Sequence, residues 1–246
     1  MLCVKMSWEG QTFFLPPYGD STGLGEALQA MTDYAQARNV PVLIKGATAD
    51  AIQMIETTVP GRYLFERDPD NDDYIHSTRE LIDLPGRNFS AKRNHIHYFH
   101  NTYPDYRFVH LTPETATDCV SIAYEWFQKK QDRDSVLAYE FGTVKDALEQ
   151  FSVLGLRGGA ILINNRIVAF SLGEPLNHEM AVIHVEKAND DIRGAYQVIN
   201  QDCCRYCWPE FVYVNREEDM GIPGLRKAKQ SYHPTKMLEK YDVTLR

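Results

Sequence analysis

Apolar and polar positions change their spacing twice along this chain. In the first third, Leu2–Met6 and Thr12–Leu15 alternate as short strands, and Pro16-Pro17-Tyr18-Gly19 turns the chain into an amphipathic helix over Gly23–Arg38. A strand at Val40–Lys45, a helix at Asp50–Thr58 and a strand at Arg62–Arg67 follow, closed by the acidic turn Asp68–Asp73. This β-α-β-α-β order predicts a mixed or parallel sheet covered by helices. The middle third is helical. Ser77 or Thr78 caps Thr78–Leu84, Phe89–Asn101 forms a basic helix, and after a strand at Tyr106–Leu111, Pro113 starts a helix reaching Lys130. A further helix covers Val136–Leu154.

The last third returns to strands. Gly159–Ile163 and Arg166–Leu172 flank Asn164-Asn165, a dipeptide that tolerates the positive φ angles of a two-residue hairpin turn. Ala181–Glu186 is a strand, Ala195–Cys207 a helix, Phe211–Val214 a strand, Gly224–Ser231 a helix, and Met237–Leu245 a closing strand. The expected fold is α/β (α+β): two lobes with mixed central sheets flanked by helices, divided between Asp68 and Thr112. We assign residues 1–75 to the first lobe and 76–246 to the second, with a helical inter-lobe segment at 76–104. The opening strand pair has no element before it, which predicts an N-terminally incomplete first lobe.

At 246 residues the chain can bury a sizeable core. No apolar run approaches the length of a membrane-spanning helix, and no signal-peptide pattern opens the chain. Five cysteines, an odd number without framework spacing, favour a reducing, cytoplasmic setting. The net charge of −8 argues against broad nonspecific binding to nucleic acid or anionic lipid. Cys203, Cys204 and Cys207 lack the second pair of a zinc site, so no metal is expected and small buried thiols are the simpler reading.

The segment 211–236 is the richest in candidate chemistry. A buried strand there delivers Asn215, Arg216, Glu217, Glu218 and Asp219 to its C-terminal end, beside a turn containing Gly221, Pro223 and Gly224. Ligands of open α/β sheets bind at such strand ends. Asn215, Glu217 and Asp219 are candidates for an acceptor or amino-acid pocket, where a carboxylate holds an ammonium or acts as general base. The alternative is a solvated loop with an N-cap. On the helix that follows, Arg226 and Lys229 share a face and can bind phosphates, or else form a solvent-facing basic strip. Earlier, the period of two places His184 and Glu186 on one face of their strand. They are candidates for an acid/base pair in which His184 accepts a proton and Glu186 orients it, against the plain reading of a hydrogen-bonded sheet face. Arg93 and Asn94, on the basic middle helix, are candidate substrate contacts at the inter-lobe cleft.

Three blocks together carry a family resemblance. They are Gly86-Arg87-Asn88-Phe89 with Lys92-Arg93-Asn94-His95-Ile96; Val182–Lys187 with Arg193-Gly194-Ala195-Tyr196-Gln197; and Val214-Asn215-Arg216-Glu217 with Gly221 and Gly224-Leu225-Arg226-Lys227. The chain resembles soluble relatives of the lysylphosphatidylglycerol synthetase C-terminal domain. The resemblance implies a tandem GNAT-like fold akin to the Fem aminoacyltransferases, and the hairpin followed by β-α-β-α-β matches the order of a GNAT core. It further implies transfer of an aminoacyl group from an activated donor, such as aminoacyl-tRNA, to a small-molecule, peptide or lipid head-group acceptor through an amine or hydroxyl. No further cofactor is required. The alternatives are an N-acyltransferase with a coenzyme A thioester as donor, and a non-catalytic binding module on the same fold. In GNAT enzymes the turn equivalent to Arg193-Gly194-Ala195 presents backbone N–H groups to the pyrophosphate of coenzyme A, using the positive end of the helix dipole. Asp190 and Asp191 stand where that anion would sit, and capping of the helix is the competing reading. Tyr232 resembles the tyrosine that GNAT enzymes use late in the fold as general acid.

Overall fold

The computed structural model describes residues 1–8, 10–130 and 135–246. Along the chain run β1 (Lys5–Trp8), β2 (Gln11–Phe14), α1 (Leu24–Ala37), β3 (Leu43–Ala47), α2 (Ala49–Thr58), β4 (Tyr63–Arg67) and β5 (Asp73–Ser77). Then come α3 (Thr78–Asp83), α4 (Ser90–Thr102), β6 (Arg107–His110), α5 (Pro113–Lys130), α6 (Ser135–Glu149), β7 (Arg157–Ile163), β8 (Arg166–Pro175) and β9 (Met180–Ala188). The chain ends with α7 (Ala195–Cys207), β10 (Tyr213–Asn215), α8 (Pro223–Gln230), β11 (Lys236–Leu238) and β12 (Tyr241–Leu245). The fold is mixed α/β with two sheets flanked by helices.

The residues form two compact units. Unit 1 holds Met1–Tyr74, Glu218–Ser231 and Lys236–Arg246; unit 2 holds Ile75–Glu217 and Tyr232–Thr235. The chain's last stretches group with unit 1, where the sequence reading put all of 76–246 in the second lobe. The physical reason is β12, which pairs antiparallel with both β3 and β4. The sheet of unit 1 runs β1-β2-β3-β12-β4. Leu28, Met31, Ile44, Ile55, Tyr63 and Val243 fill its core.

The strands of unit 2 run in the order β5-β10-β9-β8-β7-β6. The β7–β8 turn has both asparagines at positive φ, 50° for Asn164 and 62° for Asn165, as the turn chemistry demands. One face of the sheet packs against α3, α4 and α7 through residues such as Ile161, Ile183, Phe99, Ile199 and Trp208. The other carries α5 and α6 over Ala160, Phe170, Leu172 and Val185. Helix α7 buries Ala195, Val198, Ile199, Cys203 and Cys207, the helical spacing of one apolar stripe.

Gly194, before α7, has φ +92°, and a Cβ there would sit 2.5 Å from the His95 carbonyl oxygen and 2.9 Å from Phe99 Cβ. This glycine lets α7 approach α4. Gly194→Ala is therefore expected to cost at least about 2 kcal/mol by combining positive φ with a backbone clash, read in urea unfolding; a loss below about 0.5 kcal/mol would contradict it.

Candidate functional site

Strand β10 is short. Its parallel pairing with β9 covers Tyr213↔Met180, Val214↔Ala181 and Asn215↔Val182, after which β9 runs on to Ala188 paired with β8 but not with β10. The two strands part there, and the wedge collects polar side chains. Arg216 leaves the end of β10 and donates from Nη2 to Glu186 Oε1 at 2.8 Å. Asn200 of α7 donates to the other oxygen, Oε2, at 3.0 Å. The ion pair is nearly enclosed, with side-chain exposures of 11% for Arg216 and 13% for Glu186.

Tyr232 lies in the same part of unit 2. Its ring takes Lys92 Nζ at 4.0 Å from the centroid and the Arg216 guanidinium at 5.0 Å. Burial holds the Tyr232 hydroxyl above its ordinary range; Arg216 opposes that shift and Glu186 adds to it. Lys92, on α4, moves the other way. Burial first, then the charge of Arg216, pushes it down to about 8, although Glu186 pulls in its favour. A lysine near 8 is about one-tenth neutral amine at pH 7 and far more so just above it, and the neutral amine is what a general base needs. Lys92 lay within a basic helix in the sequence, and nothing local marks it out from Arg87 or Arg93.

A second cluster surrounds His184. Its Nδ1 faces Glu217 Oε1 at 2.8 Å and its Nε2 faces Glu174 Oε1 at 3.1 Å. With a carboxylate on each nitrogen, the imidazolium satisfies both contacts. Glu217 raises the His184 pKa by its hydrogen bond and charge, against burial, and Glu174 adds to the rise. Glu217 is held by an unusual backbone. It adopts φ 55°, and its N–H donates to Asn215 Oδ1 at 2.7 Å. Asn215, 4% exposed, thus fixes the carboxylate that grips His184.

The expected pairing of His184 with Glu186 is corrected. The β8–β9 register runs Leu172↔Val185 and then Gly173↔Ile183, leaving His184 as an extra residue in β9. The bulge switches the faces: Ile183 packs with the α7 side and Val185 with the α5–α6 side. Glu186 therefore meets Asn200 and Arg216 while His184 meets Glu174 and Glu217. The raised pKa of His184 favours the imidazolium, the form with no free nitrogen to accept a proton.

Because its pKa lies above the unfolded value of about 6.5, His184 stabilises the fold fully below that pH. The contribution fades as pH rises through the folded-state pKa. His184→Gln should accordingly remove part of the fall in Tm on the alkaline side of neutrality. An NMR titration showing the ring titrating below about 6.5 would overturn this assignment.

Several other candidates do structural work. Asp219, 0% exposed, accepts from Tyr74 Oη at 2.5 Å and from Arg226 Nε at 2.8 Å. Burial pushes its carboxyl up, but Arg226, Tyr74 and the Gly221 N–H outweigh that and hold it below its usual range. Arg226 also reaches Asp70 at 2.6 Å, and Lys229 is buried with its ammonium on the Glu218 carbonyl. Asp219, Arg226 and Lys229 belong to unit 1, and Asn215 and Glu217 to unit 2, so the acidic cluster of 215–219 divides between the units. Arg93 donates to the carbonyls of Leu84 and Gly86, the latter at 2.7 Å, closing the turn after α3 rather than reaching for substrate. Asn94 is exposed. At the start of α7, Arg193 stacks on Tyr98 at 4.4 Å, and the Ala195 N–H donates to the Ile192 carbonyl at 3.1 Å. Gly194 approaches α4. The expected pyrophosphate cradle at Arg193, Gly194 and Ala195 is thus occupied with packing.

Comparison with known proteins places these features in a family. A model described as the C-terminal part of phosphatidylglycerol lysyltransferase matches residues 1–244. A solved structure of a conserved protein of unknown function from Bacteroides thetaiotaomicron is 38% identical, with a TM-score of 0.89 over 98% of this chain and 82% of that one. The C-terminal domain of a putative lysylphosphatidylglycerol synthetase from Agrobacterium fabrum superposes with a TM-score of 0.72 at 10% identity, covering 98% of this chain and 80% of that one. L-PGS from Bacillus licheniformis gives 0.68 at 14% identity, covering 99% and 80%. These last two show the shared fold. An uncharacterised Mycoplasmoides gallisepticum protein is 24% identical over 174 residues, which are 69% of this chain and 55% of that protein's length. Among the described residues, no helix is long and apolar enough to cross a membrane. This chain belongs to the phosphatidylglycerol lysyltransferase C-terminal family.

Proposed function

We propose that the chain is an aminoacyltransferase that moves an aminoacyl group from an activated donor, aminoacyl-tRNA, to an amine or hydroxyl acceptor. The observation that carries this reading is Lys92, pushed down to about 8 beside the Tyr232 ring and the Glu186–Arg216 pair where β9 and β10 part. Neutral Lys92 takes the proton of the acceptor as its nitrogen or oxygen attacks the ester carbonyl. The C–O bond to the donor ribose then breaks, and the Lys92 ammonium returns the proton to the departing ribose oxygen. Buried positive charge at Arg216 opposes the negative charge that develops on the carbonyl oxygen. Glu174 and Glu217, whose charges His184 now shares, suit the ammonium of the aminoacyl group.

Thermal-shift binding tests the donor. The purified chain is compared with charged and uncharged tRNA, free amino acids and acetyl-coenzyme A. Stabilisation by a charged tRNA over its uncharged form supports the reading and names the amino acid. Stabilisation by acetyl-coenzyme A alone would replace it with coenzyme A-dependent acyl transfer.

A further inference from the structure

Two turns beyond Asn200, α7 ends in a separate group of reactive side chains. Cys207 places its Sγ 3.7 Å from Nδ1 of His110, the last residue of β6. Both line a cavity of about 350 Å³ walled by Phe151, Leu156 and Tyr206, with the Arg157–Glu210 ion pair at 2.8 Å among its lining residues. Cys203, one helical turn earlier, is 2% exposed, and the neighbouring Cys207 together with burial holds its thiol well above the ordinary range. Cys203 therefore keeps its proton. Cys119 and Cys204 are sealed in the core at 0% and 2% exposure, and Cys3 lies at the surface. Cys207 alone among these five combines a lining position in a cavity with an adjacent imidazole.

We propose that Cys207 is a modifiable thiol, activated by His110 and open through the cavity to small peroxides and soft electrophiles. His110 takes the thiol proton. The thiolate sulfur attacks one peroxide oxygen, the O–O bond breaks, and the departing hydroxide takes the proton from His110. The products are Cys207 sulfenic acid and water, with sulfur oxidised by two electrons and the peroxide reduced by two. The route does not depend on aminoacyl transfer, so the two readings stand or fall separately.

The test treats the folded full chain with iodoacetamide, or with hydrogen peroxide followed by dimedone, and maps the products by peptide mass spectrometry. Cys207 and Cys3 should be alkylated while Cys119, Cys203 and Cys204 are spared, and dimedone should mark Cys207. His110→Gln should slow Cys207 alkylation near neutral pH on the order of ten-fold and leave Cys3, the internal reference, unchanged. Labelling of Cys119 reports unfolding, in which case His110→Asn replaces the glutamine variant. An unreactive Cys207 beside a reactive Cys3 would overturn the proposal. So would a Cys207 without a dimedone adduct, or a rate that a folded His110 variant changes by less than about two-fold.

Discussion

Lys92→Met should lower aminoacyl transfer by at least about 100-fold while leaving the chain folded, because it removes the proton acceptor and keeps the length of the side chain. Methionine is apolar, so burying it relieves the desolvation that pushes the lysine down to about 8, and Tm should hold or rise. In the wild type, transfer should increase as pH rises through about 8, where Lys92 loses its proton. Lys92→Arg should not rescue the rate, since guanidinium stays protonated throughout that range. Rates of wild type and the two variants between pH 6 and pH 9 are the check, the window being set by the roughly neutral working range of such a base. Retention of more than about half the activity in Lys92→Met would remove the lysine from the mechanism.

The largest expected effect on stability belongs to Arg216→Ala. Arg216 and Glu186 are 11% and 13% exposed, so removing the guanidinium leaves a buried carboxylate without its ion-pair partner, although Asn200 still donates to it. Breaking a buried pair in this way typically costs about 3–5 kcal/mol, or roughly 10 °C in Tm for a chain of this size. The double variant Arg216→Met with Glu186→Gln should recover most of that loss, because it removes the stranded charge as well as its partner. Urea unfolding of the single and double variants separates the two effects. A loss under about 1 kcal/mol in Arg216→Ala, the size expected of a surface pair, would show that the wedge is wet.

The helices were legible because their chemistry is local. Helix α7 runs from Ala195 to Cys207 as its apolar stripe predicts, and the Asn164-Asn165 turn adopts the positive φ angles its residues favour. Strand β5 was not legible. The sequence reading ends the acidic turn at Asp73 and gives no element to Tyr74, Ile75 and His76; the strand character of this stretch comes from antiparallel pairing with β10, far along the chain. The closing strand divides in two for a similarly non-local reason, with β12 captured between β3 and β4.

At the candidate site the failures have one physical origin. A period-two argument placed His184 with Glu186, but the extra residue in β9 turns them to opposite faces, and no local residue pattern announces that bulge. Asp219, Arg226 and Lys229 had the residue types of a binding site, yet their hydrogen bonds go to one another, to Tyr74 and Asp70, and to nearby backbone. Lys92 was visible as one cation among several. Its lowered basicity arises from burial and from Arg216, brought near by the tertiary fold. Residue types can nominate charged side chains for a site, but which are consumed by the scaffold depends on contacts between distant segments.

The most direct test supplies the purified chain with a pool of aminoacyl-tRNAs, each labelled on its amino acid, together with extracts rich in lipid head groups and in soluble amines. Loss of the ester from tRNA and appearance of label in an acceptor are followed side by side for wild type and Lys92→Met. The account predicts that wild type transfers label from one or a few aminoacyl-tRNAs and that the folded variant does not. Transfer that proceeds equally in both would contradict the role of Lys92, and consumption of acetyl-coenzyme A with every aminoacyl-tRNA left intact would contradict aminoacyl transfer itself.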